Sequence, residues 1–148
     1  MNNHDLQTIL IAEDSAADAE MTIDALREAK LANPIVHVED GVEALSWLTM
    51  SGAHAGRKQG HPSLVLLDIK MPRMDGLEVL KRMRDDDQLM HIPVVILSSS
   101  REESDLARSW DLGVNAYVVK PVDVRQFFDA VQILGQFWAV LNEVPAQD

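Results

Sequence analysis

Short apolar runs recur along the chain, and four of them close on a residue that can carry chemistry. Residues 64–67 (Leu-Val-Leu-Leu) are continuously apolar without alternation, the pattern of a strand covered on both faces as in a parallel sheet. That run closes on Asp68, and Pro72 and Asp75-Gly76 force a turn shortly afterwards. Equivalent runs at 8–12, 92–97 and 116–119 lead into Glu13-Asp14, Ser98 and Lys120-Pro121, while residues 35–38 supply the remaining strand. Between the runs, apolar positions fall at helical spacing. Ala19, Ile23 and Leu26 follow a start signal at Ser15 and Asp18, and Asn33-Pro34 is expected to break that helix. Ala44, Leu45 and Leu48 follow Asp40-Gly41, and Leu77, Leu80 and Met83 follow the capping pair Asp75 and Glu78. Ser100 and Glu103 open a fourth helix, closed at Gly113. The last carries Val124, Phe127, Val131, Leu134, Trp138 and Leu141. Five strands alternating with five helices predict an α/β fold, a doubly wound parallel sheet with right-handed crossovers.

One connection stands apart. Residues 51–62 are small, polar and glycine-containing, with no predicted element, and His54 and His61 within them are expected to be solvated. Asp85, Asp86 and Asp87 read as a solvated helix exit.

At 148 residues the chain suits one domain with a substantial core. Asp and Glu number 24 against 13 Lys and Arg, a formal net charge of -11, which argues against nucleic acid or an anionic membrane as partner. The absence of Cys removes disulfides, thiolate nucleophiles and zinc clusters from consideration. No signal peptide or membrane-length apolar run is evident, so a cytoplasmic location is expected.

In open α/β sheets ligands bind at the carboxyl edge of the strands. If the runs share one sheet, Glu13, Asp14, Asp68, Ser98 and Lys120 converge on that rim. Three carboxylates together repel one another unless a cation intervenes, and Lys120 supplies a single positive charge. All-oxygen ligation suits a hard cation, and Mg²⁺ shares phosphate oxygens readily. Asp68 then becomes a candidate covalent nucleophile for aspartyl-phosphate chemistry.

These motifs resemble the receiver domain of two-component response regulators over nearly the whole length, and four fragments carry the resemblance in order. They are residues 9–14 (Ile-Leu-Ile-Ala-Glu-Asp), 66–76 (Leu-Leu-Asp-Ile-Lys-Met-Pro-Arg-Met-Asp-Gly), 93–98 (Pro-Val-Val-Ile-Leu-Ser) and 117–121 (Tyr-Val-Val-Lys-Pro). The resemblance implies a flavodoxin-like receiver fold with strand order 2-1-3-4-5 and Asp68 as acceptor of a phosphoryl group from a sensor histidine kinase. It further implies Mg²⁺ on Asp14, Asp68 and the backbone carbonyl of Lys70, with Glu13 acting through water. Ser98 and Lys120 would contact the phosphoryl group, Lys120-Pro121 would be cis, and Tyr117 would be the switch aromatic. Lys70 and Ser100 would flank the path of the attacking water. Ser98 stands where Thr is commoner, and residues 51–62 are longer than in a minimal receiver.

Residues 9–19, 94–103 and 134–142 are similar to the stand-alone receivers found beside bacterial phytochromes and other sensor kinases. The chain is accordingly expected to be a single receiver domain over 1–148, with 135–148 as a helical extension and output through protein contacts, a phosphoacceptor signalling protein with intrinsic autophosphorylation and autodephosphorylation and not an enzyme. The rival is a phosphatase of the haloacid dehalogenase type, which would want an acid where Lys70 stands. A flavodoxin-like binding protein is a weaker rival, because no phosphate loop follows the first strand. Ile133, Phe137, Val140 and Val144 form a second apolar stripe on the last helix. That stripe predicts a homodimer through this helix and the extension, packed near Tyr117.

Overall fold

Each strand forms where the apolar runs stand, and its two faces feed two separate cores. The computed structural model describes residues 7–57, 60–114 and 116–133. Strands β1 (Ile9–Ala12), β2 (Ile35–Val38), β3 (Leu64–Asp68), β4 (Val94–Ser98) and β5 (Ala116–Val119) form one parallel sheet in the order 2-1-3-4-5, as expected. Alternate side chains divide between the faces. Ile9, Ile11, Leu64, Leu66, Val95 and Leu97 pack with α1 (Ala16–Glu28) and α5 (Val124–Ile133), where Leu26 and Phe127 fill the layer. Leu10, Ala12, Val65, Leu67, Val94 and Ile96 pack with α2 (Gly41–Thr49), α3 (Gly76–Arg84) and Ala107 of α4 (Arg101–Ser109). The sheet is thus buried from both sides, which is why its strands show no polar alternation.

Caps at Ser15, Asp40, Asp75 and Ser100 each accept a backbone N–H from the first turn of their helix. Helix ends depart from the sequence reading. The first helix ends at Glu28, ahead of Asn33-Pro34, because Lys30 takes a left-handed conformation (φ 67°) and the Arg27 guanidinium donates to the carbonyls of Leu31 (2.6 Å) and Asn33 (3.0 Å). The fourth ends at Ser109 and not at Gly113; Asp111 (φ 54°) reverses the chain first, and Gly113 (φ 78°) serves the approach to β5. Ala19, Leu26, Ala44 and Leu48 are buried as expected, and the inner faces are wider than the spacing predicts. Thr22 and Ala25 are buried where Ile23 is half-buried, and Trp47 rather than Leu45 enters the core.

Residues 51–62 are better anchored than their composition suggests. A 3-10 turn covers Gly52–His54. Arg57 lies 3.8 Å above the Trp47 ring and donates to the Trp47 carbonyl at 2.6 Å. His54 lies 3.6 Å from Glu43, so it is a contact residue and not simply solvated. No described helix is long and apolar enough to cross a membrane. The proposed extension over 135–148 and the stripe residues Phe137, Val140 and Val144 lie outside the described residues, as do Leu134, Trp138 and Leu141.

Candidate functional site

The carboxyl ends of β1, β3, β4 and β5 meet at one rim, and glycines allow the connections to close tightly around it. A Cβ on Gly76 would lie 2.2 Å from the Asp68 carbonyl oxygen, so only glycine lets α3 start directly against the strand end. The Gly76 N–H donates to the Ile69 carbonyl at 2.7 Å. A Cβ on Gly41 would meet the Met74 carbonyl at 1.9 Å, and Arg73 grips Asp40 through two hydrogen bonds of 3.1 and 3.2 Å. The β3–α3 connection is thereby tied to the start of α2. Across the rim, Lys120 N–H donates to the Ser98 carbonyl at 2.7 Å, and Lys120-Pro121 is cis.

Glu13, Asp14 and Asp68 come together as expected, with carboxylate oxygens all within 4.8 Å of one another. Glu13 is fully buried and Asp68 is 4% exposed, whereas Asp14 faces solvent. The Lys120 ammonium reaches in from β5. It donates to Glu13 Oε1 at 2.9 Å and to Asp18 Oδ2 at 3.1 Å, and lies 3.3 Å from Asp68 Oδ2. The other Glu13 oxygen accepts the Ser15 N–H at 3.1 Å.

Burial and then repulsion from Glu13 push Asp68 up to about 7, against the opposing pull of Lys120. Burial alone would lower Lys120, but its hydrogen bonds to Glu13 and Asp18 and the charges of Asp68 and Glu13 hold it well above its usual value. Excess negative charge, oxygen-only donors and an aspartate reluctant to ionise without further cationic help are what a hard divalent cation would relieve. The residues present fit such an ion.

On the other side of Asp68 the groups are mostly neutral. Ser98 is fully buried, and its hydroxyl is paired with that of Ser104 on α4. Glu103, 8% exposed, accepts from the Ser99 N–H at 2.7 Å and the Ser99 hydroxyl at 3.2 Å. Lys70, whose side chain is 81% exposed, approaches Glu103 at 3.6 Å. Tyr117 stands away from the acids on β5, half-buried, with the Arg108 guanidinium 4.0 Å above its ring. Burial raises the Tyr117 phenol, Arg108 opposing and Asp111 adding to the effect.

Three participants escape the sequence reading. Asp18 and Glu103 read there only as capping residues, and Ser104 carries no signal. For Asp18 the usable clue is its place on the first turn of a helix that starts directly after the rim acids Glu13 and Asp14.

A buried carboxylate at the end of the middle strand of a 2-1-3-4-5 sheet, set between acids and a lysine, is the arrangement of a signal receiver. The family model for the response regulator receiver domain matches residues 9–132, and the chain belongs to that family. Response regulator Rcp1 of Synechocystis sp. is 33% identical over 140 residues, covering 95% of this chain and 94% of that protein. Its Mn(2+)-bound structure superposes with a TM-score of 0.72, covering 95% of this chain and 99% of that one. The bacteriophytochrome response regulator AtBRR is 55% identical with a TM-score of 0.87, covering 94% and 99% of the two chains. The phosphorylated cyanobacterial phytochrome response regulator RcpA is 36% identical with a TM-score of 0.73, covering 95% and 99%. The protein is a receiver-domain response regulator, a phosphoacceptor signalling protein. Nothing among the described residues favours the phosphatase alternative, since Lys70 occupies the position its second acid would need.

Proposed function

We propose that Asp68 accepts a phosphoryl group from a phosphohistidine on a sensor histidine kinase, and that a bacterial phytochrome is that kinase. The observation that carries the assignment is the Asp68 carboxylate itself, buried at the end of β3 between the acid pair and Lys120. An Asp68 oxygen attacks phosphorus, the phosphorus–nitrogen bond breaks, and its electron pair remains on the imidazole, which takes a proton from solvent. Lys120 and the Ser98 hydroxyl donate to the phosphoryl oxygens, and Tyr117 reports the change to the α4–β5 surface. Asp14, Asp68 and the Lys70 carbonyl would hold Mg²⁺, with Glu13 acting through water; the ion supplies positive charge for the phosphoryl oxygens. The same residues accept phosphoryl from a small donor and release it to water. The names of AtBRR and RcpA support the phytochrome partner, and Mn(2+)-bound Rcp1 supports a divalent ion. A kinase fed by ATP puts this exchange in the cytoplasm.

Mass spectrometry after acetyl phosphate and Mg²⁺ should place one adduct on Asp68. Labelling that survives Asp68→Asn, or that ignores a chelator, overturns the assignment.

The chain over 1–148 acts as one receiver unit, with 135–148 as its helical extension. The apolar stripe Ile133, Phe137, Val140 and Val144 supports a homodimer through the last helix and that extension. Light scattering should show a dimer for the intact chain and a monomer for Phe137→Glu; an intact chain that stays monomeric at micromolar concentration rules it out.

A further inference from the structure

Lys120 is shared more widely than its site role requires. An ammonium has three N–H donors, and here they face Glu13, Asp18 and Asp68 at 2.9, 3.1 and 3.3 Å. Two of these partners are fixed. Glu13 is fully buried with its second oxygen engaged by Ser15, and Asp68 is held in the strand. Asp18 differs. It sits on the first turn of α1 with its side chain 37% exposed, at the open side of the site.

We propose that Asp18 is a positioning residue that holds one Lys120 donor at the mouth of the site, weakening its grip on a phosphoryl-like anion while strengthening its grip on a divalent cation. The inference rests on Asp68 as phosphoacceptor. An anion arriving on Asp68 must compete with Asp18 for the ammonium and meets its negative charge, whereas a cation beside Asp14 and Asp68 gains from that charge. A purely structural part for Asp18, as an acid suited to a helix start, makes a different prediction. Damage to α1 would weaken both ligands together.

Beryllofluoride at saturating Mg²⁺ is the anionic probe and Mg²⁺ alone the cationic one, both followed by calorimetry on the full chain. For Asp18→Asn, beryllofluoride affinity should rise about two- to fivefold and Mg²⁺ affinity fall by about the same factor, the scale of a partly exposed ion pair. Asp18→Glu should move both back toward wild type. Affinities that stay unchanged, or shift in the same direction, overturn the role of Asp18. Wild-type protein that binds no beryllofluoride overturns the Asp68 assignment, and the inference with it.

Discussion

The two flanks of Asp68 are built on opposite principles. Toward β1 and β5, three carboxylates, those of Glu13, Asp18 and Asp68, crowd around one ammonium with Asp14 beside them, and Glu13 and Asp68 are buried. Toward α4, hydroxyls and one glutamate are matched donor to acceptor, with Ser98 against Ser104 and Ser99 against Glu103. The first flank stores electrostatic cost that an incoming cation relieves; on the second the hydroxyls are paired, and the buried Glu103 Oε2, which accepts no hydrogen bond, lies 3.6 Å from the Lys70 ammonium. Binding energy therefore enters mainly at the acid flank. Ligands should shift the acid flank strongly, while the hydroxyl flank should respond through geometry.

Removing the ammonium is the strongest way to break the acid flank. Lys120→Met leaves Glu13, fully buried, without its cation, and the loss should be about 3 kcal/mol or more at pH 8. Urea unfolding of the metal-free protein measures it. A smaller loss at pH 5 is expected, because Asp68 then takes up a proton and relieves the repulsion.

Removing the Asp68 charge should have the opposite sign. Asp68 binds its proton more tightly in the folded chain, at about 7 against 3.8 unfolded. Its contribution to stability is complete below the unfolded value and is lost as pH rises through about 7. Metal-free wild type should therefore lose on the order of 2–4 kcal/mol between pH 4 and 8 from this group, and Asp68→Asn should flatten that slope. Mg²⁺ affinity should climb through the same window with release of about one proton, a count calorimetry in two buffers provides.

How much of this was visible in the residues follows the same division. The strand ends, the caps at Ser15, Asp75 and Ser100, and the acids of the rim were legible, because a run of β-branched and Leu residues ending in a polar side chain is a local signal. The order of the strands came from motif resemblance, not from the pattern of apolar positions. Asp18 was hidden because its partner Lys120 is brought to it only by closure of the sheet. Ser104 was hidden because a serine inside a helix looks the same whether it faces water or a buried hydroxyl. The end of α4 was misplaced because Gly113 is the stronger cap by composition, while Asp111, which also tolerates a left-handed backbone, comes first.

On the hydroxyl flank, Ser104→Ala removes the partner of a fully buried hydroxyl and should cost about 1 kcal/mol. Ser98→Ala should cost a similar amount. The double substitution should cost little more than either alone, because both singles break the same contact. Additive losses would show that the two hydroxyls are held by separate partners.

Lys70 touches the hydroxyl flank only at its edge, through Glu103, and should have the smallest effect on folding. Its side chain is 81% exposed and reaches only Glu103, at 3.6 Å, so Lys70→Ala should leave stability within ~0.5 kcal/mol of wild type. The receiver resemblance nevertheless implies that this position, two residues beyond Asp68, flanks the route by which water would reach a phosphoryl group there. A long cation tethered by Glu103 over that route can shield the group or pair with it, and neither action is needed for the group to arrive. Lys70→Ala should therefore change the rate of autodephosphorylation more than the rate of labelling by acetyl phosphate. Glu103→Gln should move the dephosphorylation rate in the same direction, since it loosens the tether without touching Lys70. Equal changes in both rates for Lys70→Ala, or none, would place the lysine in solvent and leave the lifetime of the phosphoryl group to Lys120 and Ser98.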